Sequence, residues 1–304
     1  MEYIMTTQNL TKKYGEKAAA KDINIHIREG EIYGLIGRNG AGKTTIMRML
    51  SGLSNPTEGS FSLFGKTGKD ALKEMKNVGV LIEHPGLYPN MTAYENLRLK
   101  AIAMGCDNKK YIDEILELIG LTDARDKKSK SFSLGMRQRL GIGLALIGDP
   151  KIIILDEPIN GLDPQGIVEV RKMLEKLRDE KKITIMISSH ILDELGKLAD
   201  SYGIIHEGNL VDEFTVDELH KRCGRYIAIN TDDNSAAAEV IKSSGFNDVD
   251  IDEDGFIRIN DRLDDVQLLV KMLVEKDLVP NHVTVKDISL EDYYLSVTGG
   301  SENG

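Results

Sequence analysis

The sequence predicts an α/β domain on a largely parallel sheet, interrupted by a helical insertion and followed by a small α+β domain. Three observations carry this. Short apolar runs of strand length alternate with helical stretches through the first two-thirds of the chain. Residues 84–150 carry helix signals and no convincing strand. After residue 219 a second series of strands and helices begins, so the expected division is 1–219 and 220–304.

Taken in order, Ile23, Ile25 and Ile27 alternate with polar neighbours, the period of a half-buried strand. Glu29-Gly30 signals a turn, and Ile32-Tyr33-Gly34-Leu35-Ile36 is an apolar run suited to a buried strand. A glycine-rich loop then leads into helical residues 44–50. Residues 151–155 and 184–187 read as further buried strands, and 111–119, 136–146 and 166–180 as helices. Buried strands separated by helices call for a parallel sheet covered on both faces. The second domain reads strand 226–230, helix 235–244, strands 248–251 and 256–259, helix 264–276 and strand 282–285. That is a split βαβ order, closed by a short helix over 290–297 and a fraying tail, 299–304.

Composition narrows the functional classes. With 41% hydrophobic and 29% charged residues, the chain has the make-up of a folded globular protein. A net charge of −10 argues against non-specific nucleic-acid binding, although it says nothing about a local basic patch. No run approaches the ~20 apolar residues that span a bilayer, and the first residues lack the pattern of a signal peptide. Cys106 and Cys223 match no metal spacing and fit a reducing, cytoplasmic setting. Any action on a membrane is expected to pass through a partner.

Gly37-Arg38-Asn39-Gly40-Ala41-Gly42-Lys43-Thr44 satisfies G-x-x-x-x-G-K-[ST] between a strand and a helix, the context that motif requires. The first domain is therefore expected to be a P-loop NTPase. Backbone N–H groups from Gly37, Asn39, Gly40, Ala41 and Gly42 on through Thr45 would cradle phosphate oxygens, helped by the positive end of the helix. Lys43 would reach the β- and γ-phosphates, and the Thr44 hydroxyl would ligate Mg²⁺. Further on, Ile152-Ile153-Ile154-Leu155 ends in Asp156-Glu157-Pro158. Ligands of open α/β sheets lie beyond the carboxyl ends of the strands, so Asp156 suits the Mg²⁺ shell and Glu157 the general base for an attacking water.

Phe132-Ser133-Leu134-Gly135-Met136-Arg137-Gln138-Arg139-Leu140, just upstream of the acidic strand, resembles the signature of ABC ATPases, usually Leu-Ser-Gly-Gly-Gln before a basic helix. Leu134 replaces the first glycine of the usual pair and Met136 the glutamine, while Ser133 and Gly135 remain. Ser133 is also a good N-cap, and helix N-termini hold anions. The resemblance implies an ABC nucleotide-binding domain with a helical subdomain. It further implies ATP as the nucleotide, and a head-to-tail dimer in which Ser133 and Gly135 of one subunit close on ATP held by the other. Other positions match in order. Tyr14 resembles the aromatic that stacks on adenine, a core tyrosine being the plainer reading. Asp163, in Asn160-Gly161-Leu162-Asp163, resembles the residue at the dimer seam, with a solvated turn before Pro164 as the alternative. His190 resembles the histidine that touches the γ-phosphate.

Glu83, in Leu81-Ile82-Glu83-His84-Pro85, departs from the glutamine most family members carry. The resemblance gives that position contact with Mg²⁺ and the attacking water, beside the docking site of the membrane partner. An exposed strand end is the alternative. Glu83, the following stretch 85–97, the 132–136 segment and Ser289-Leu290-Glu291-Asp292-Tyr293-Tyr294-Leu295 together resemble the ATP-binding subunits of bacitracin and lantibiotic self-protection exporters. That branch implies a separately encoded membrane permease, a second ATP-binding subunit (identical or not) and an amphiphilic peptide antibiotic as cargo. It places the chain at the inner face of the cell membrane. A soluble ABC ATPase working on another macromolecule is the alternative function. A sensor that binds ATP without turnover is disfavoured by intact Lys43, Asp156, Glu157 and His190.

Overall fold

The computed structural model describes residues 2–223, 225–252, 254–287 and 290–299. The chain divides into two compact units, Met1–Thr215 and Val216–Gly304, so the contact boundary lies slightly before the expected residue 219.

The first unit opens on an antiparallel arm: β1 (Tyr3–Tyr14), β2 (Lys17–Ile23) and β3 (His26–Arg28). β4 (Ile32–Ile36) enters the parallel part and leads to α1 (Lys43–Leu50). The hairpin β5 (Glu58–Leu63) and β6 (Lys66–Thr67), α2 (Gly68–Lys73) and β7 (Val78–Leu81) follow. The helical stretch supplies α3 (Ala93–Ala103), α4 (Lys109–Leu118) and α5 (Leu134–Leu146). β8 (Ile152–Leu155), α6 (Pro164–Asp179), β9 (Thr184–Ser189), α7 (Leu192–Gly196), β10 (Ser201–His206) and β11 (Asn209–Thr215) complete it.

The strands form one sheet in the order β6-β5-β1-β2-β11-β10-β4-β9-β8-β7, with β3 paired to β1. Only β10, β4, β9, β8 and β7 form the expected parallel block. The arm and β11 make the sheet mixed, a correction to the largely parallel reading. Its cause is physical. Every residue of β4, β8 and β9 is buried, so those strands read as unbroken apolar runs. β1 and β2 keep exposed polar residues at irregular spacing and give no clean period. Ile23, Ile25 and Ile27 are all fully buried, but the chain leaves β2 at Ile23 and re-enters strand at His26. Between them the Ile25 N–H donates to Thr7 Oγ1 at 2.7 Å, so the alternation there reports burial, not one continuous ladder.

Local chemistry fixes the helix starts. Thr92 and Glu95 form a capping box at α3, and Ser133 Oγ accepts the Met136 N–H at 3.2 Å to begin α5. α5 lies close on β7 because position 79 is glycine: a Cβ there would overlap the Ala145 carbonyl and come within 2.9 Å of Ile153 Cγ2.

The second unit begins with α8 (Val216–Cys223) and continues β12 (Arg225–Thr231), α9 (Asn234–Ser243), β13 (Val249–Ile251) and β14 (Ile257–Ile259). α10 (Val266–Val274), β15 (Pro280–Asp287) and α11 (Leu290–Thr298) end it. Its sheet has the order β13-β14-β12-β15, antiparallel throughout, which is the split βαβ arrangement. Ile227, Ile229, Ile257 and Ile259 pack against Ala237, Ile241, Leu269 and Leu273 of its helices. Residues 300–304 of the expected tail, and Ser289 of the 289–295 stretch, lie outside the described residues. The first unit holds 30 basic and 30 acidic residues and the second 9 and 19, so the whole net charge belongs to the second. The electrostatic argument against nucleic acid therefore applies to that unit alone. Among the described residues no helix is long and apolar enough to cross a membrane.

Gly79→Ala is expected to push α5 off the sheet and cost about 1–3 kcal/mol, as overpacking does. The midpoint of urea unfolding measures this, and an unchanged midpoint would contradict it.

Candidate functional site

The site begins where β4 stops. Residues 37–42 turn the chain from a fully buried strand into α1, and Gly42 caps that helix in the left-handed region (φ 112°) with no side-chain hydrogen bond. The helix N-terminus is thus left to an anion. A Cβ at Gly42 would overlap the Ala19 carbonyl, and one at Gly37 would come to 2.5 Å from the Ile205 carbonyl. The Ala41 carbonyl accepts the Gly208 N–H at 2.9 Å, pinning the loop to the β10–β11 turn.

Lys43 is only 5% exposed. Its Nζ donates to the Gly37 carbonyl at 2.6 Å and lies 3.1 Å from Glu157 Oε1. One residue on, Thr44 Oγ1 donates to Asp156 Oδ2 at 2.8 Å. Ser188 Oγ donates to Asp156 Oδ1 at 2.6 Å and accepts the Glu157 N–H at 2.9 Å. Glu157 holds φ 49°, a conformation L-residues keep only where the surroundings enforce it. Its Oε2 lies 2.8 Å from His190 Nδ1, at the end of β9. Lys43, Thr44, Asp156, Glu157 and His190 therefore form one connected network across α1, β8 and β9.

A cavity of ≈ 660 Å³ opens over it, lined by Arg38, Asn39, Gly40, Lys43, Thr44 and Thr45 with Glu157. Its other wall is Lys17, Ala18 and Ala19 of β2 and Glu207-Gly208 of the β10–β11 turn. Tyr14 ends β1 opposite Lys17 in the hairpin register and is 54% exposed, which removes the core-tyrosine reading. The Thr44 hydroxyl and the Asp156 carboxylate converge as hard oxygen donors, a pair that fits Mg²⁺. Among the described residues no group of three or more His, Cys, Asp or Glu could hold a metal, so phosphate and water oxygens would have to complete the shell.

Tyr14 does not itself line this cavity, and Ser133, Gly135 and Asp163 stand apart from it. Ser133 and Gly135 open α5, and Asp163 caps α6 by accepting the Gly166 N–H at 3.0 Å. These two helix starts adjoin: a Cβ on Gly161 would meet Leu134 Cδ2 at 3.3 Å. Glu83 also departs from its expected grouping with Thr44 and Asp156. It follows β7 with φ 64°, is 59% exposed, and its carboxylate pairs with Arg48 of α1. A groove of ≈ 360 Å³ runs beside it, walled by Pro85, Leu87 and Pro89 against Leu134, Arg137 and Gln138 of α5.

Sequence reasoning missed Ser188, Arg48 and the wall from β2 and the β10–β11 turn. Two consecutive hydroxyls ending the wholly buried β9 were the one readable signal. The others meet the loop only through sheet closure.

Residues 20–160 match the family described as ABC transporter. The chain is 44% identical over 301 residues to the bacitracin transport ATP-binding protein BcrA of Enterococcus faecalis, covering 99% of this chain and 98% of that one. It is 43% identical over 210 residues to the lantibiotic transport ATP-binding protein SrtF of Streptococcus pyogenes, covering 69% of this chain and 90% of that one. Among solved structures, cbiO1 from Clostridium perfringens, part of the transporter complex cbiONQ, superposes with TM-score 0.66 at 28% identity. That match covers 73% of this chain and 92% of cbiO1.

Glu157→Gln is expected to lower steady-state hydrolysis by about 10²–10⁴-fold while ATP binding persists, because only the base is removed. Normal turnover of the purified variant would contradict that role. Ser188→Ala strips a hydrogen bond from Asp156 and leaves the Glu157 N–H unmet, so stability is expected to fall by about 1–3 kcal/mol. Chemical denaturation reads this directly.

Proposed function

Because this chain belongs to the ATP-binding subunits of ABC transporters, an ATPase family, we propose that it powers a separately encoded membrane permease that clears peptide antibiotics of the bacitracin and lantibiotic kind. The observation that carries the reading is the connected Lys43–Glu157–His190 and Thr44–Asp156–Ser188 network at the mouth of the phosphate loop. Full-length likeness to a bacitracin transport subunit favours this over a soluble ABC ATPase acting on another macromolecule.

In the proposed cycle ATP lies over the loop, its adenine on Tyr14 and its phosphates against the N–H groups of 37–45. Lys43 exchanges its hydrogen bond to the Gly37 carbonyl and its ion pair with Glu157 for the β- and γ-phosphates. Mg²⁺ held by Thr44 and Asp156 would neutralise charge on the β- and γ-oxygens. Glu157, freed from Lys43 and still held by His190, takes the proton of the attacking water. Ser133 and Gly135 line no part of the chain's own cavity, so in this reading they complete the site of a second subunit, with Asp163 at the seam. The groove between the loop after Glu83 and α5 suits a cytoplasmic helix of the permease: Pro85, Leu87 and Leu134 supply apolar contact and Arg137 a cation at its wall. The proposed location is the cytoplasmic face of the membrane.

Affinity capture of this chain from detergent-solubilised host membranes is expected to bring down a stoichiometric polytopic membrane protein. Deleting the chain is expected to sensitise the host to bacitracin-like or lantibiotic peptides. Capture of ribosomes, DNA or nothing would overturn the transport reading and leave the ATPase intact.

A further inference from the structure

Helix α1 meets the carboxyl ends of two adjacent strands with side chains one turn apart. Thr44 and Arg48 are four residues apart and so share a face. Thr44 donates to Asp156, just beyond β8, and Arg48 pairs with Glu83, just beyond β7. β7 and β8 are parallel neighbours in register Leu81↔Leu155, and the Asp156 N–H donates to the Leu81 carbonyl at 2.8 Å. The two contacts are therefore successive rungs between one helix and two strand ends, about one helical pitch (~5.4 Å) apart along the axis. Glu83 reaches its rung from a left-handed backbone, φ 64°, as Glu157 does at φ 49°. Beyond Glu83 the chain becomes the His84–Pro89 wall of the groove.

We propose that Arg48 is a positioning residue for Glu83. It draws the carboxylate onto the flank of α1, neutralises it, and keeps it out of the oxygen set that Thr44 and Asp156 offer a divalent ion. The same rung ties the wall of the groove to the helix that holds the phosphates. Both partners are substantially exposed, Arg48 by 40% and Glu83 by 59%, so the pair adds little to folding stability. Its effect is on where charge sits. Without Arg48, Glu83 is a carboxylate with no cation beside it, about one helical turn along α1 from the rung of Thr44 and Asp156.

The inference rests on Thr44 and Asp156 holding the metal, and the test separates the two. Mn²⁺ binding to the full-length chain with ADP is followed by electron paramagnetic resonance of the free ion. Asp156→Asn must weaken binding; if it does not, the metal assignment itself fails. Arg48→Ala is expected to tighten Mn²⁺ binding by roughly three- to tenfold, from one uncompensated, partly screened charge near a divalent ion. Arg48→Lys is expected to stay close to the parent, and Arg48→Ala with Glu83→Gln to return to it. The swapped pair, Arg48→Glu with Glu83→Arg, is also expected to return to it. An unchanged titration for Arg48→Ala, or tightening that survives in the Glu83→Gln background, overturns the role of Arg48 while leaving the metal site standing.

Discussion

Asp156 is the side chain on which the arrangement turns. It is a carboxylate with 5% exposure at the end of a wholly buried strand, and a charge there is stable only if its oxygens are satisfied. The satisfaction comes from two hydroxyls on two other elements, Thr44 on α1 and Ser188 on β9. That requirement fixes the phosphate helix against β8 and β9. Through Ser188 it also fixes the backbone of Glu157, whose carboxylate is then shared between Lys43 and His190. The placement of the loop, Glu157 and His190 thus follows from one buried acid and the hydroxyls it needs.

Much of this was readable because it is written contiguously. The glycine-rich loop, the apolar run ending in Asp156-Glu157 and the histidine after β9 each combine a strand end with a chemical group in a few residues. Fold class was legible for the same reason where strands are buried on both faces. The antiparallel arm was not, since β1 and β2 are half-exposed and their pattern is interrupted by bulges. Long-range partners were least legible. Lys17, Gly208 and Arg48 carry no local sign of what they face, because sheet closure and helix packing bring them there. Glu83 shows the limit most clearly: its departure from the usual glutamine is visible in the sequence, but its pairing with Arg48 is a property of the fold.

The two units also show how a whole-chain quantity misleads. A net charge of −10 says nothing of the nucleotide-binding unit, which is balanced, because the second unit carries the entire excess. That second unit folds around a small set of isoleucines from β12 and β14 beneath two helices. Their strict alternation along those strands is why its split βαβ order was readable despite its acidity.

What remains is whether two such sites close on each other, and the mass of the Glu157→Gln chain in light scattering, with and without ATP, addresses this. Since that variant is expected to hold ATP without consuming it, the 33.7 kDa chain should double in mass when ATP is added and return to the monomer when ATP is removed. A chain that binds ATP yet stays monomeric at saturation would contradict a site completed by Ser133 and Gly135 of a second subunit.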